Sequence, residues 1–406
     1  MMKNEYDVVI IGGGVSGMTA AITLKRACPE WDVAVFEKKD VFLKKLSMTG
    51  NGRCNISNVN CEGLDEVKDF LKSVGISLRC DDEGRLYPYS EDAKDVCKLL
   101  IRSAENCDVE LYSEAVAEKL EAIPLSSDPR GGFNIFIEGD EEPIYAENLV
   151  LATGGKSYAS CGTTGDGYIF ARRLGHSVSK LAPALTAIEV TENIKVLKGV
   201  RTKARAYLLK DGEVICSEPG EVQFREDALS GICIMNLSRY IKPLKGISPE
   251  DSFRHYEIRL DLTPDFSSSE IAELLADRMR VMGYDTTYAL KGLVKEELAS
   301  YVARKEGVFF ARWNGKEISF EEMAAFLADE LSDLHFTVKG LKGWNEAQVT
   351  SGGVSLDEVD ENTMESKIVP GLFITGETLD YDGPCGGYNL NNAWLTGIRA
   401  GKGLAR

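Results

Sequence analysis

Long hydrophobic runs are absent from this chain of 406 residues. The apolar run nearest the N-terminus, Val8 to Ile11, is only four residues long, whereas a helix that crosses a membrane needs about 18 or more. We therefore expect no membrane partner and a soluble, cytoplasmic protein. The balance of 44% hydrophobic and 27% charged residues is that of an ordinary globular protein, and the length suffices for two or three domains.

Basic residues are also scarce, because 47 Lys and Arg face 64 Asp and Glu and leave a net charge of −17. Nucleic-acid binding depends on clustered Lys and Arg, so this excess of acid argues against a nucleic-acid partner. The three histidines lie far apart in the sequence, and none of the ten cysteines belongs to a CxxC pair. We expect reduced cysteines and no metal site.

Glycine, in contrast, is plentiful, and three glycines form a motif near the N-terminus. The β-branched run Val8 to Ile11 leads directly into Gly12-x-Gly14-x-x-Gly17 and a helix from about Val15 to Arg26. The first glycine permits a tight turn, the second lets backbone approach a pyrophosphate, and the third allows close packing of helix on strand. The helix N-terminus points its amides at the diphosphate. This pattern predicts a dinucleotide site, and a purely structural glycine turn is the alternative.

A carboxylate follows at the spacing that such a site requires. A second strand, Asp32 to Phe36, ends in Glu37, which lies 20 residues after Gly17. A carboxylate at this strand end accepts hydrogen bonds from both ribose hydroxyls and repels a 2′-phosphate. The dinucleotide is therefore predicted to be FAD or NAD, not NADP.

The segment from Lys44 to Asn58 is dense in glycine and short polar residues, a composition that favours neither a helix nor a strand. It predicts a tight loop whose backbone amides and side chains wrap a ligand. A turn-rich surface connection is the alternative. Later, a strand is predicted from Val109 to Tyr112, and the backbone at Val116 after it is predicted to meet the adenine ring. A buried strand predicted from Ile144 to Ala152 leads into Thr153 and Gly154, where backbone can again approach the cofactor closely.

From about Thr186 to about His335 the sequence no longer has the features of a dinucleotide-binding domain. Strands from Ala204 to Leu209 and from Glu213 to Cys216 flank the hairpin signal Asp211-Gly212. Three helices are predicted near Glu270 to Met282, Tyr288 to Arg304 and Phe320 to Leu331. Ser267 with Glu270, and Ser319 with Glu322, have the spacing of capping boxes. We interpret this region as an inserted antiparallel β unit that carries a small helical unit.

The C-terminal part returns to ligand-binding features. A short strand, Leu372 to Thr375, runs into Gly376 and Glu377, and a closing helix is predicted from Asn389, as its cap, to about Leu404. A carboxylate at a strand end suits the hydroxyls of a ribityl chain, and amides at a helix start suit the negative charge of a reduced flavin. Because loops from both ends of the chain are suited to one cofactor, these residues favour FAD over NAD.

Seven segments together resemble one family. They are GGGVSG with Glu37, KKLSMTGNGRCNISN (44–58), GRLYPYSEDA (84–93), LATGGKSYASCGTTGDGYIFARRLGH (151–176), SGGV (351–354), TMESK (363–367) and GLFITGETLDYDGPCGGYNLNNAW (371–394). They look like the BaiN/RdsA-type NAD(P)/FAD-dependent oxidoreductases, which are flavoproteins of the two-dinucleotide-binding-domain superfamily. TGNGRCN and GGYNLNNAW are far more specific than a glycine motif.

The resemblance implies an α/β fold with three parts. These are a discontinuous Rossmann-like FAD-binding domain (1–185 and 345–406), an inserted antiparallel β-barrel-like domain (186–264 and 335–344) and a small helical domain (265–334). The resemblance also implies a set of residues that contact FAD. The helix start at Val15 and the backbone at Val116, which the residue pattern itself predicts, are added to that set. The predicted cofactor-binding set is Gly12, Gly14, Val15, Ser16, Gly17, Glu37, Lys38, Thr49, Gly50, Asn51, Arg53, Cys54, Val116, Thr153, Gly154, Gly376, Glu377, Gly387, Tyr388 and Asn389.

For function, the resemblance implies an FAD-dependent oxidoreductase that reduces or dehydrogenates a small, moderately apolar carbonyl or enone compound. There is no second GxGxxG unit for a resident nicotinamide nucleotide, so NAD(P)H would visit transiently or the substrate itself would reduce the flavin. An oxidase of a small amine that uses O2 is one alternative. An FAD-dependent RNA-modifying or RNA-binding protein is another, which the net charge disfavours.

No catalytic residue stands out from the sequence. Tyr388 is suited to donate a proton to an enone, or equally to pack beside the ring. Arg53 is suited to hold the pyrophosphate or the flavin. Cys54 and Cys385 lie in predicted flavin loops without a CxxC partner, which favours packed thiols over a redox role. We interpret the three histidines as structural.

Overall fold

The computed structural model describes residues 2–124, 126–244, 246–283, 285–304 and 318–406. The chain forms two compact units, of which the first comprises residues 1–183 and 347–406 and the second comprises residues 184–346. Each unit has its own hydrophobic core. The three-part domain boundaries remain a prediction, and the proposed helical domain includes residues 284 and 305–317, which lie outside the described residues.

A seven-stranded sheet forms the centre of the first unit. Its order is Glu110–Tyr112, Val33–Phe36, Glu5–Ile11, Ile144–Leu151, Phe133–Ile137 and Ala117–Ala122, and Leu372–Ile374 pairs with Ile144–Leu151 in addition. The five strands that pair in parallel include Glu5–Ile11 and Ile144–Leu151, which are aligned from Glu5 with Tyr145 to Ile11 with Leu151. The strands Val33–Phe36 and Leu372–Ile374, and the last four residues of the first strand, are buried throughout, and their sequences are continuous apolar runs.

Helices and short turns complete the first unit. The helices are Val15–Ala27, Leu64–Ser73, Ala93–Asn106, Asp166–Arg173 and Tyr388–Leu404. A small sheet contains Ser57–Asn58, Arg85–Pro88 and Leu78–Cys80. Short strands at Ala182–Ala184 and Val349–Ser351 lie where the chain leaves and re-enters the unit, and short 3-10 turns lie at Leu46–Gly52, Ala159–Cys161, Leu356–Glu358 and Gly376–Thr378.

The second unit contains a closed barrel of six strands. Its strands are, in order around the barrel, Ile188–Val190, Ala228–Ser230, Glu213–Phe224, Arg201–Lys210, Tyr256–Asp261 and Leu334–Leu341. Among its described residues, helices span Ile232–Ser238, Pro249–Phe253, Ser268–Met282, Thr286–Leu290, Glu296–Ala303 and Phe320–Ser332, and Lys195–Leu197 forms a 3-10 turn. The antiparallel barrel and the Rossmann-like sheet confirm the predicted fold class.

Three local predictions need correction. The helix predicted from Tyr288 to Arg304 is divided in two, because Gly292 between the two helices has a φ of +83°, a conformation that no right-handed helix contains. The second hairpin strand extends to Phe224 through Pro219 and Gly220, because the barrel provides paired neighbours along its whole length. The loop from Lys44 to Asn58 includes 3-10 turns over Leu46–Gly52, interrupted at Thr49, Gly50 and Asn51.

Both predicted capping boxes are present in the second unit. Ser267 accepts from the amide of Glu270, whose carboxylate in turn accepts from the amide of Ser267, and Ser319 and Glu322 form the same reciprocal pair. These bonds fix the starts of two helices that pack on each other. The spacing of three residues between serine and glutamate was sufficient to predict them.

Candidate functional site: an FAD-binding site built from both ends of the chain

The glycine turn has the geometry that dinucleotide binding requires. Gly12 has a φ of +111°, and a Cβ at this position would lie 2.3 Å from the carbonyl oxygen of Ala152. A Cβ at Gly17 would lie 2.1 Å from the carbonyl oxygen of Gly12, whereas a Cβ at Gly14 would have no neighbour within 4 Å. The first and third glycines are therefore needed for the turn and for packing, and the second faces open space. The helix begins at Val15 without a side-chain cap, so its first amides remain available to an anion.

The Glu37 carboxylate lies beside this turn, at the end of the second strand. One of its oxygens accepts from the amide of Gly13 at 3.0 Å and the other from the amide of Lys39 at 2.9 Å. Burial raises the pKa of the Glu37 carboxyl, and these two bonds oppose the rise. Each oxygen retains capacity for one more hydrogen bond, so the carboxylate can accept both hydroxyls of a ribose.

Two other predicted residues lie near Glu37. The carbonyl of Glu37 accepts from the amide of Ala115 at 2.9 Å, which places Val116 beside the end of the second strand. Lys38 donates to Thr164 at 2.5 Å and forms an ion pair with Asp166. The Lys38 side chain is thus bonded to protein. The contact of the Val116 backbone with the adenine ring stays a prediction.

The first helix and the final helix pack closely through glycines. A Cβ at Gly397 would lie 2.5 Å from the carbonyl oxygen of Ser16, and one at Gly401 would lie 2.6 Å from Cβ of Thr23. Both contacts advance in the same direction along the two helices, so the helices run parallel. Tyr388 begins the final helix nine residues before Gly397, which places it about 13 Å further along that helix axis. The two ends of the chain therefore converge on one extended site.

The two predicted flavin loops are also bonded to each other. The side-chain amide of Asn55 is assigned the orientation in which both of its ends have a partner. In this orientation its nitrogen donates to the carbonyl of Ser57 at 3.0 Å, and its oxygen accepts from the amide of Gly387 at 3.1 Å. The Ser57 hydroxyl donates to Asn391 at 2.7 Å. Gly387 has a φ of +101°, and a Cβ there would lie 2.3 Å from the carbonyl oxygen of Ser57. A side chain at this glycine would separate the loops.

Asn389 does not cap the final helix, which corrects the prediction. The helix begins at Tyr388, and the preceding Gly387 is its cap residue without any side-chain cap bond. The Asn389 side chain accepts from the amide of Gly383 at 2.8 Å and donates to the carbonyl of the same residue at 2.9 Å. Asn389 therefore holds the loop before the helix in a closed shape. The sequence suggested a cap because asparagine is common at that position.

Glu377 lies at the centre of a network that the sequence did not reveal. One carboxylate oxygen accepts from Lys45 at 2.7 Å, and the other accepts from the amide of Thr350 at 2.7 Å and from the hydroxyl of Ser157 at 3.2 Å. Lys45 also donates to Ser157 at 2.9 Å. Lys45, Ser157 and Thr350 were not among the predicted site residues, because nothing in their local sequence distinguishes them from ordinary lysine, serine and threonine.

Arg53 and Tyr388 both have side-chain donors that bond to no residue in the described ranges. The exposed Arg53 guanidinium stacks over the Tyr87 ring at 5.1 Å from its centroid. Tyr388 is half-buried at the start of the final helix. Arg53 is two residues before Asn55 and Tyr388 directly follows Gly387, so the bonded pair Asn55 and Gly387 keeps both side chains on neighbouring loops.

The cysteines and histidines fit structural roles. Cys54 is fully buried, and this burial raises the pKa of its thiol to about 12, which supports the interpretation of a packed, unreactive thiol. Cys385 lies 3.8 Å from the side-chain oxygen of Gln348. His176, His255 and His335 each bond a carboxylate. Among the described residues, no three His, Cys, Asp or Glu side chains are grouped to hold a metal ion.

The remaining predicted residues lie on the same unit. Gly376 adjoins Ser16, because a Cβ at Gly376 would lie 2.7 Å from the Ser16 hydroxyl. Thr153 and Gly154 follow the strand that pairs with the first strand, and the Thr153 hydroxyl lies 3.4 Å from that of Thr378. The open space at Gly14 and the ribose-suited carboxylate of Glu37 agree with the dinucleotide site that the sequence predicts. The individual contacts with FAD stay predictions.

The fold and this site define an FAD-dependent oxidoreductase with a Rossmann-like domain. The chain belongs to the HI0933-like family, whose Rossmann domain model matches residues 63–403. The model of an FAD binding domain matches residues 7–69. The predictions of the family, the cofactor FAD and an enzymatic function are thereby confirmed.

Two curated relatives match nearly the whole chain. The 3-dehydro-bile acid delta(4,6)-reductase of Clostridium scindens is 32% identical over 98% of this chain and 98% of its own. The ribosomal RNA dihydrouridine synthase of Escherichia coli is 26% identical over 96% of each chain. The two relatives are thus of nearly the same length as this protein.

A solved structure shares the fold. The 3-ketosteroid-delta4-(5alpha)-dehydrogenase of Rhodococcus jostii matches with a TM-score of 0.50 and 16% identity, over 99% of this chain and 97% of that chain. In the described residues, no helix has both the length and the apolar character that crossing a membrane requires.

Proposed function

We propose that this enzyme uses NAD(P)H to reduce a carbon–carbon double bond conjugated to a carbonyl group, in a small, moderately apolar compound. The observation that carries this proposal is the full-length, 32% identity to a reductase of 3-dehydro-bile acids. The reverse reaction, dehydrogenation, uses the same site and the same atoms. A cytoplasmic location stays a prediction.

The second relative supports the same class of reaction. Dihydrouridine differs from uridine by reduction of the C5–C6 double bond, which is conjugated to the C4 carbonyl. Both relatives are therefore named for reduction of a carbon–carbon double bond. In a 3-oxo-4,6-diene and in uridine alike, the double bond that is reduced is conjugated to a carbonyl group. This shared chemistry favours a conjugated carbonyl compound over an amine as the substrate.

When bound, FAD supplies the hydride chemistry, and the protein must bind the carbonyl oxygen and deliver a proton. NAD(P)H provides the hydride that reaches the β-carbon, and a proton from an acid reaches the α-carbon, so NAD(P)⁺ and the saturated carbonyl compound are the products. Arg53 has unused donors for the carbonyl oxygen, and Tyr388 has an unused hydroxyl on the neighbouring loop. We assign Arg53 the binding role and Tyr388 the role of proton donor.

An anaerobic titration of the purified holoprotein tests this proposal. NADH or NADPH should bleach the visible flavin absorbance, and a 3-oxo-4-ene steroid should restore it. Failure of both nicotinamide nucleotides to bleach the flavin would exclude the reductase. In air, peroxide formed only with a small amine would instead indicate an oxidase.

The variant Tyr388→Phe separates the two half-reactions. Bleaching by NAD(P)H should persist, whereas reoxidation by the enone should slow by about 10² or more if Tyr388 delivers the proton. Tyr89→Phe is the matched control, because Tyr89 is exposed, stacks with Arg79 and lies outside the predicted cofactor-binding set. Equal reoxidation rates in both variants would remove Tyr388 from the mechanism.

A ribosomal RNA substrate is the second candidate, because the dihydrouridine synthase relative matches over 96% of both chains. The net charge of −17 opposes it. The same titration distinguishes the candidates when ribosomal RNA replaces the steroid. Reoxidation by RNA and not by enones would assign the protein to RNA modification.

A further inference from the structure

The Lys45–Glu377 ion pair connects four segments of the candidate FAD site. Glu377 follows the strand Leu372–Ile374, Lys45 precedes the 3-10 turns, Ser157 follows Gly154, and Thr350 lies in the strand Val349–Ser351. The side chains of Lys45 and Glu377 are 27% and 18% exposed. An ion pair that is this shielded from water has a specific geometry, unlike a flexible surface pair.

This ion pair lies next to the glycine turn. The amide of Leu43, two residues before Lys45, donates to the carbonyl of Gly13 at 2.9 Å. On the other side, Gly376 adjoins Ser16 in the first turn of the first helix. Lys45 therefore lies in a segment that is bonded to the glycine turn, and Glu377 follows a residue that adjoins the start of the first helix. Both segments adjoin the backbone that is predicted to face the diphosphate.

The Lys45 ammonium has one donor to spare. A lysine ammonium has three N–H donors, and in the described part of the chain Lys45 uses one on Glu377 and one on Ser157. Its neighbour Lys44 differs, because within the residues that the structure describes Lys44 pairs with Asp40 alone, at 3.7 Å. A fixed ammonium with a remaining donor beside a diphosphate turn is suited to a phosphate oxygen.

We propose that Lys45 is a cofactor-binding residue whose ammonium bonds the diphosphate of FAD, and that Glu377 is the positioning residue that holds Lys45 there. Glu377 thus acts through Lys45, in contrast to the direct contact with the ribityl chain that the sequence predicts. The proposal concerns the cofactor alone, so it does not depend on the substrate or on NAD(P)H.

The test measures the affinity of the full-length chain for ADP, which contains the diphosphate but no flavin. FAD is first removed by dialysis against a chaotropic salt, and ADP binding is then measured by calorimetry. Lys45→Met should weaken ADP and FAD binding by the same factor, about ten- to a hundredfold, since a charge-assisted bond is lost. Lys45→Arg should restore part of the affinity, and Lys44→Met should change it less than twofold.

A second variant separates ligand binding from folding. Lys45→Met leaves the Glu377 carboxylate without its cation and should lower the melting temperature. The double variant Lys45→Met/Glu377→Gln should recover the melting temperature, because no carboxylate is left unpaired, and should remain weak for ADP.

Two results would overturn the proposal. If ADP affinity returned together with the melting temperature in the double variant, Lys45 would serve the fold alone. If Lys45→Met weakened FAD but left ADP unchanged, the ammonium would not bind the diphosphate.

Discussion

Replacing Gly397 by alanine tests whether close packing of the first and final helices forms the cofactor site. An added Cβ would lie 2.5 Å from the carbonyl oxygen of Ser16 and 2.9 Å from Cβ of Thr19. Ordinary contact begins at 3.4 Å, so the first helix must move away by about 0.9 Å. Backbone cannot rotate aside as a flexible side chain can.

Two opposing effects decide whether Gly397→Ala raises or lowers the free energy of unfolding. Alanine in a helix is more favourable than glycine by about 1 kcal/mol. Overpacking against backbone costs about 1–3 kcal/mol or more. The difference is a net loss of up to about 2 kcal/mol, which lowers the melting temperature by up to about 8 °C for a unit of this size. Because Ser16 moves with its helix, FAD affinity should fall as well.

Calorimetry of the holoprotein and fluorescence of released FAD provide the two measurements. Gly343→Ala is the control, since a Cβ there has no neighbour within 4 Å and the backbone is not left-handed. It should leave both values nearly unchanged. A Gly397→Ala protein more stable than the wild type would show that helix propensity prevails and that the contact is not restrictive.

Two further predictions concern titratable groups. Burial raises the pKa of the Cys54 thiol to about 12. Iodoacetamide at pH 8 should therefore modify the exposed Cys80 first and leave Cys54 intact in the folded protein, which peptide mass mapping measures. Early alkylation of Cys54 would refute its burial. Because burial also raises the pKa of Glu37, its carboxylate protonates at a higher pH than an ordinary glutamate, so FAD affinity should fall as the pH decreases through that raised value. Glu37→Gln should bind FAD more weakly with a flatter pH profile over this range, and an unchanged profile would assign the titration to another group.

The local features of the site could be predicted from the sequence. The positions of Gly12, Gly14 and Gly17 relative to Glu37 follow from strand, helix and strand lengths. The first helix and the second strand each lie within one residue of the prediction, and the first strand begins at Glu5, three residues earlier than predicted. Backbone conformation and steric fit determine such features over short distances, so a residue type at a fixed spacing is enough to indicate them.

The roles of individual side chains were less predictable. Asn389 has the residue type of a helix cap but closes a loop instead. Whether an asparagine bonds the backbone ahead of it or behind it depends on how the preceding loop folds. The sequence of that loop, with three glycines and a proline, permits many conformations.

The sequence by itself determined the dinucleotide turn, the carboxylate at the end of the second strand and the two capping boxes. Through seven segments that resemble one family, it also indicated the family and its cofactor. Only the tertiary structure decided which side chains meet, as with Lys45 and Glu377, which are 332 residues apart and form a bond of 2.7 Å. The physical reason is that a turn or a cap is specified by neighbours along the chain, whereas an ion pair between distant segments exists only after the sheet has brought those segments together.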